Sequence, residues 1–271
     1  MSADRDPDQE EPQESLDEEE EVDPAFYANG GVIFSDDERG ALGDVTGKRV
    51  LHLTFGCSEE GPSLVNMGAT VTEAGDDGTT RALAEAAGLS IEFVDEAPAA
   101  LSAAFCDTRR FDVVYSSYGA MDWIADFDSW AEGVSTLLEP GGKLVVYDEH
   151  PFAYVFDADD GGRLIAATSY FGGLGDDVGG EFDLPEEEPE DQSAAAAEEE
   201  ATGNTDADEA GWTLGDLIGA LGQNGLAVID LQEFETSDRY ETPLDRLADE
   251  VDQAELAKVP SALLLVAIKL P

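Results

Sequence analysis

The chain has 271 residues, room for one large α/β domain or two small ones. Its 63 acidic and 13 basic residues give a formal net charge of -50, which argues against nucleic acid as a direct partner. Phosphate binding needs clustered Lys and Arg, and here basic residues are scattered, Arg109-Arg110 being a rare adjacent pair. No apolar run reaches the roughly 18 residues a bilayer span needs, and the longest candidate, Ala262 to Ile268, is strand-sized.

In chain order, residues 1 to about 22 are acidic and polar with almost nothing apolar. They cannot bury enough surface to offset ordering entropy and are expected to be a disordered tail. They also lack a basic-then-apolar signal pattern, so a cytoplasmic protein is expected. Arg49 to Thr54 is a strand candidate, followed by a helix from about Glu60 to Asn66. Ala69 to Ala74 is a second strand. Asp77 to Ala87 is a helix, with Gly88 placed to end it. Ser90 to Val94 is a third strand and Phe111 to Ser117 a fourth. Phe127, Trp130, Val134, Leu137 and Leu138 share one helix face. Pro140-Gly141-Gly142 breaks that helix before a fifth strand, Lys143 to Tyr147.

From about Asp183 to Ala210 the chain is again acidic, with no large apolar residue after Leu184. We read it as a solvated insertion within a single folded domain over residues 23–271. Thr213 is a predicted N-cap, with Asp216 three residues on, close to a capping box. The helix it starts runs to about Gln223. Leu226 to Phe234 and Ser261 to Lys269 are a sixth and a seventh strand, suited to an antiparallel pair closing one sheet edge. Strands separated by helices imply βαβ units and a parallel sheet.

Three stretches carry a resemblance: GDVTGKRVLHLTFG (Gly43 to Gly56), FDVVYSSYGAMDWIADFDSW (Phe111 to Trp130) and LLEPGGKLVVYDEHPF (Leu137 to Phe152). They resemble the first strand and turn, the fourth strand and its helix, and the fifth strand of class I S-adenosylmethionine-dependent methyltransferases. WTLGDLIGALGQNGLAVIDLQEF (Trp212 to Phe234) is similar to one branch of that family. The resemblance implies a Rossmann-like seven-stranded sheet with helices on both faces and an antiparallel last strand. It implies S-adenosylmethionine as cofactor and a small-molecule or unidentified acceptor as substrate. The acidic, lysine-poor composition, with only Lys48, Lys143, Lys258 and Lys269, resembles proteins of extremely halophilic archaea, so a haloarchaeal-type member is expected.

By that resemblance, the turn Thr54 to Glu60, with Thr54, Phe55, Gly56 and Ser58, packs against the methionine part of the cofactor. An acid ending the second strand binds the ribose, which points to Gly75 and Asp76. An acid after the third strand binds adenine, which points to Asp95 and Glu96. Ser116, Ser117 and Tyr118 flank the sulfonium. The family's turn usually reads G-x-G, whereas this chain has Gly56-Cys57-Ser58. Direct alignment puts Gly75 at the ribose position and Ala97 at the adenine position. A one-residue shift restores both acids; alternatively the site has decayed and the chain is an inactive binding or regulatory subunit on the same scaffold.

The substrate candidates are Tyr115, Trp123, Glu149 and His150. His150 reads either as a general base, since histidine titrates near neutrality, or as a turn residue bonded to backbone. Glu149, with Asp148, reads as a cation contact or as ordinary surface charge. His52, inside the first strand, is expected to be a hydrogen-bonded core histidine, and two histidines so placed make no zinc site. Cys57 and Cys106 are expected to be thiols, and no base marks Cys57 as a nucleophile. Methyl transfer mainly needs alignment of an in-line attack, so it calls for no triad or metal cluster. The sequence sets no oligomeric state.

Overall fold

The computed structural model describes residues 22–54, 59–75, 78–94, 109–159, 161–171, 212–237 and 239–271. The expected tail, the acidic insertion, and Phe55, Gly56, Cys57, Ser58, Asp76, Asp95, Glu96, Ala97 and Cys106 lie outside the described residues.

A seven-stranded sheet forms the centre. Its strands are β1 (Arg49–Leu53), β2 (Thr70–Ala74), β3 (Glu92–Val94), β4 (Phe111–Ser116), β5 (Leu138–Glu149), β8 (Leu226–Phe234) and β9 (Ala262–Lys269). A short hairpin, β6 (Phe156–Ala158) with β7 (Leu164–Ala166), stands apart. The order is β3-β2-β1-β4-β5-β9-β8. Strands β1 to β5 pair in parallel, and β9 runs antiparallel to both β5 and β8. The last strand is thus inserted beside β5, and β8 forms the edge.

The central strands read as nearly unbroken apolar runs because both sheet faces are covered. Along β1, Leu51 and Leu53 face a cluster with Trp130, Val134, Leu217 and Leu221. Val50 faces the opposite cluster, with Phe34, Leu42, Leu64 and Tyr115. Helices α5 (Phe127–Leu137) and α6 (Leu214–Gln223) cover the first face; α2 (Asp36–Leu42) and α3 (Glu60–Asn66) cover the second. Helices α1 (Pro24–Ala28) and α4 (Thr79–Ala87) pack together through Tyr27, Leu83 and Ala87, and α7 (Gln253–Leu256) is a single turn.

Local signals explain the helix ends. Gly88 takes a left-handed conformation (φ 71°) just after α4, as expected. Thr213 and Asp216 form a full capping box at α6. At Pro140-Gly141-Gly142 the outcome differs from expectation. Helix α5 already ends at Leu137, and Leu138 pairs with Phe111 as the first residue of β5. The register then jumps, so that Val113 faces Lys143. The Pro-Gly-Gly segment bulges within the strand instead of separating helix from strand. Gly142 is pressed there, since a Cβ would lie 2.9 Å from the Glu139 carbonyl oxygen.

Candidate functional site

In an open α/β sheet, ligands bind beyond the carboxyl ends of the strands, where strand order reverses. Here that point lies between β1 and β4. The two strand ends are tied together: Ser117 N donates to the Leu53 carbonyl at 3.1 Å, and Thr54 N donates to the Ala74 carbonyl of β2 at 3.0 Å. Thr54, Ser116 and Ser117 are buried there. Ser116 Oγ is buried without a hydrogen-bond partner, an unmet polar group at the end of β4. Gly75 follows β2 with φ 97°, a conformation glycine takes without a Cβ penalty.

One side of the crevice is filled by residues from distant parts of the chain. Glu38 on α2 and Glu60, the first residue of α3, are both buried. The Arg239 guanidinium lies between them: Nη1 is 3.3 Å from Glu38 Oε1, and Nη2 contacts Glu60 Oε1. Its Cζ sits 4.7 Å from the Tyr240 ring centroid, 5.3 Å from that of Phe34 and 5.9 Å from that of Tyr147. Burial opposes its charge, but Glu60, Tyr115 and Glu38 outweigh that and raise its pKa. Tyr115 donates to Glu38 at 2.9 Å, and Tyr240 donates to Glu60. Glu38 also accepts from the backbone and hydroxyl of Ser35 in a capping box, which fixes its position.

A second group gathers beyond β4 and β5. The Tyr154 hydroxyl touches Glu149 Oε2 and lies 3.1 Å from Asp122 Oδ2. A phenol has one proton to donate, so when both contacts are hydrogen bonds one carboxyl must carry a proton. Burial, then the charge of Asp122, push the Glu149 pKa up to about 7, a value suited to proton transfer near neutrality. Trp212 Nε1 donates to the other oxygen of Asp122 at 3.0 Å. Asp122 and Trp212 then form one wall of a cleft of about 670 Å³ that Phe127, Asp126 and Asp216 also line. Its acid-rich walls disfavour anionic occupants. Behind the group, buried Asp148 accepts from the backbone of Gly119, Met121 and Glu149 at 2.8 to 2.9 Å, and burial raises its pKa.

The residues singled out from the sequence therefore separate. Thr54, Gly75, Ser116, Ser117 and Tyr118 stand at the strand ends. Tyr115 is fully buried, with its hydroxyl on Glu38. Trp123 ends a short 3-10 turn after β4. His150 is buried with both ring nitrogens engaged. Nδ1 accepts from Phe152 N at 3.1 Å, which leaves the proton on Nε2, 2.9 Å from Glu233 Oε1. Burial lowers its pKa. His52 is the expected core histidine, 3.0 Å from buried Glu73. Sequence reasoning missed Glu38, Arg239, Tyr240 and Asp122. The Ser35 to Glu38 spacing is a capping-box signature that could have revealed α2. Among the described residues, no group of three or more His, Cys, Asp or Glu could hold a metal, and no helix is long and apolar enough to cross a membrane.

The sequence matches no protein-family model and no curated protein. Solved structures do match. An S-adenosylmethionine-dependent methyltransferase from Mesorhizobium loti superposes with a TM-score of 0.54 at 22% identity, over 85% of this chain and 95% of that one. A second such enzyme, from Clostridium acetobutylicum, gives 0.49 at 13% identity, over 92% and 93%. The first match, with the sheet order and the reversed β9, shows that this chain has the Rossmann-like fold of S-adenosylmethionine-dependent methyltransferases of known structure.

Proposed function

We propose that the chain is a methyltransferase that uses S-adenosylmethionine on a small molecule carrying a transferable proton. The observation that carries this reading is the set of groups at the switch point of the strand order. Buried Ser116 Oγ has no partner there, Gly75 turns the chain with φ 97° just past β2, and Glu149 at the end of β5 meets Tyr118 just past β4. These features fit a polar nucleoside-type cofactor at the strand ends, with Asp76 for the ribose and Glu96 for the adenine. The cofactor supplies the methyl group and its sulfonium leaving group. The protein's part is to align the acceptor and take its proton. Glu149 is the base we assign, in place of His150, whose ring nitrogens are both engaged. Tyr154 and Asp122 offer the proton a way outward from Glu149.

The test is incubation of the full chain, in molar KCl, with methyl-labelled cofactor and separate pools of amines and of alcohols. Label transferred to a pool, and lost in Glu149→Gln, is the expected result. No transfer to any pool by folded, cofactor-bound protein would instead favour a binding or regulatory role.

A further inference from the structure

Arg239 is an unusual occupant of a crevice expected to take ligands. Its side chain is 9% exposed, and its two carboxylate partners are 1% and 2% exposed. It lies against two buried carboxylates, each of which also accepts a hydrogen bond from a tyrosine hydroxyl. Buried Nε has no hydrogen-bond partner, and Nη1 meets Glu38 as an ion pair without hydrogen-bond geometry. An unmet buried donor costs stability, so the guanidinium fits its surroundings imperfectly. Those surroundings suit an organic cation: two carboxylates plus the faces of Phe34, Tyr147 and Tyr240.

The position is as telling as the chemistry. Tyr240, the next residue, stacks on Tyr118 just past β4 with centroids 4.3 Å apart, and its hydroxyl donates to Glu60 just past the β1 turn. The pair therefore bridges the two strand ends that bound the switch point. It arrives on the segment between β8 and β9.

We infer that Glu38, Glu60, Phe34, Tyr147 and Tyr240 form a cation-binding cage that Arg239 fills in the free chain and that the ammonium or guanidinium group of an acceptor enters by displacing it. This rests on the methyltransferase reading for the word acceptor alone; the cage does not require the cofactor. Binding involves no covalent step.

The test is titration calorimetry of full-length wild type, Arg239→Ala and Arg239→Ala/Glu60→Gln with methylguanidinium chloride, using methylurea as the neutral control of similar shape. Arg239→Ala should bind methylguanidinium at least tenfold more tightly than wild type and ignore methylurea, and the added Glu60→Gln should erase the gain. Equal binding by Arg239→Ala and wild type, or a gain that survives Glu60→Gln, would overturn the proposal. Should Arg239→Ala prove unfolded, far-ultraviolet circular dichroism reads the same titration. Methylguanidinium but not methylurea should then restore the folded signal, and failure to restore it contradicts the cage. S-adenosylmethionine added to the same samples separates the two readings, since its failure to bind would count against the methyltransferase and leave the methylguanidinium result standing.

Discussion

Tyr118 and Tyr240 stack face to face, with ring centroids 4.3 Å apart and planes 17° from parallel. The contact joins the end of β4 to the segment between β8 and β9, and Tyr240 extends the link to Glu60. Tyr240→Phe keeps the stack and loses the hydroxyl, which should cost about 1–2 kcal/mol for a bond to a charged group. Tyr240→Ala loses both and should cost about 2–4 kcal/mol. Urea denaturation of both variants checks this; equal losses would show that stacking contributes little.

Glu149 sets a pH dependence of stability. Burial, then the charge of Asp122, raise its folded pKa from the ordinary 4.5 to about 7, so the fold favours the protonated form. The stabilisation is full below the unfolded pKa and is lost as pH rises through about 7. The groups facing Glu149 are Asp122, Tyr118, Tyr154, Asp148 and Arg246. Glu149→Gln should flatten the fall in melting temperature between pH 4.5 and about 7. His150 acts oppositely, because its pKa is lowered by burial and its contribution fades as pH falls from its unfolded value. Melting curves of Glu149→Gln and His150→Gln over this range would separate the two, and parallel wild-type and Glu149→Gln curves would refute the assignment.

Gly61 on α3 should tolerate no side chain. A Cβ there would stand 2.1 Å from Glu73 Oε2 and 3.2 Å from Ile91 Cδ1. Glu73 cannot easily yield, because it is buried against His52. Gly61→Ala should therefore cost about 1–3 kcal/mol, despite alanine's better helix propensity. Gly219 on α6 has nothing within 4 Å of a built Cβ, so Gly219→Ala should be neutral or stabilising. Chemical denaturation of the two variants tests the contrast.

With a formal net charge of -50, self-repulsion opposes the compact state. Screening shortens the Debye length to about 3 Å near 1 M salt. The melting temperature should rise steadily from dilute buffer to molar KCl. A flat profile would mean that the acidic surface imposes no salt requirement on folding.

The fold was legible where the chain repeats short apolar runs. β1, β4 and β9 are covered on both faces, and their sequences read as strands without knowledge of their partners. Thr213 with Asp216, and Gly88, marked helix ends by local chemistry alone. The hairpin β6–β7 and helices α1 and α2 were missed because they are short and lack a long apolar period. Thr54, Gly75 and Ser116 came from the family resemblance, and the structure places them at strand ends. The Arg239 cluster was illegible because it joins residues as far apart as Glu60 and Arg239, 179 positions along the chain. Only the sheet order brings β1 and the β8–β9 connection to the same crevice.

The most direct test of the central claim is calorimetric titration of S-adenosylmethionine and S-adenosylhomocysteine into the wild type and into Gly75→Val, at about 2 M KCl to screen the surface charge. The account predicts micromolar binding by the wild type. It predicts loss of binding in Gly75→Val, where a β-branched residue must enter a position with φ 97° beside the proposed ribose site. Heatless titrations of a folded wild type would contradict it.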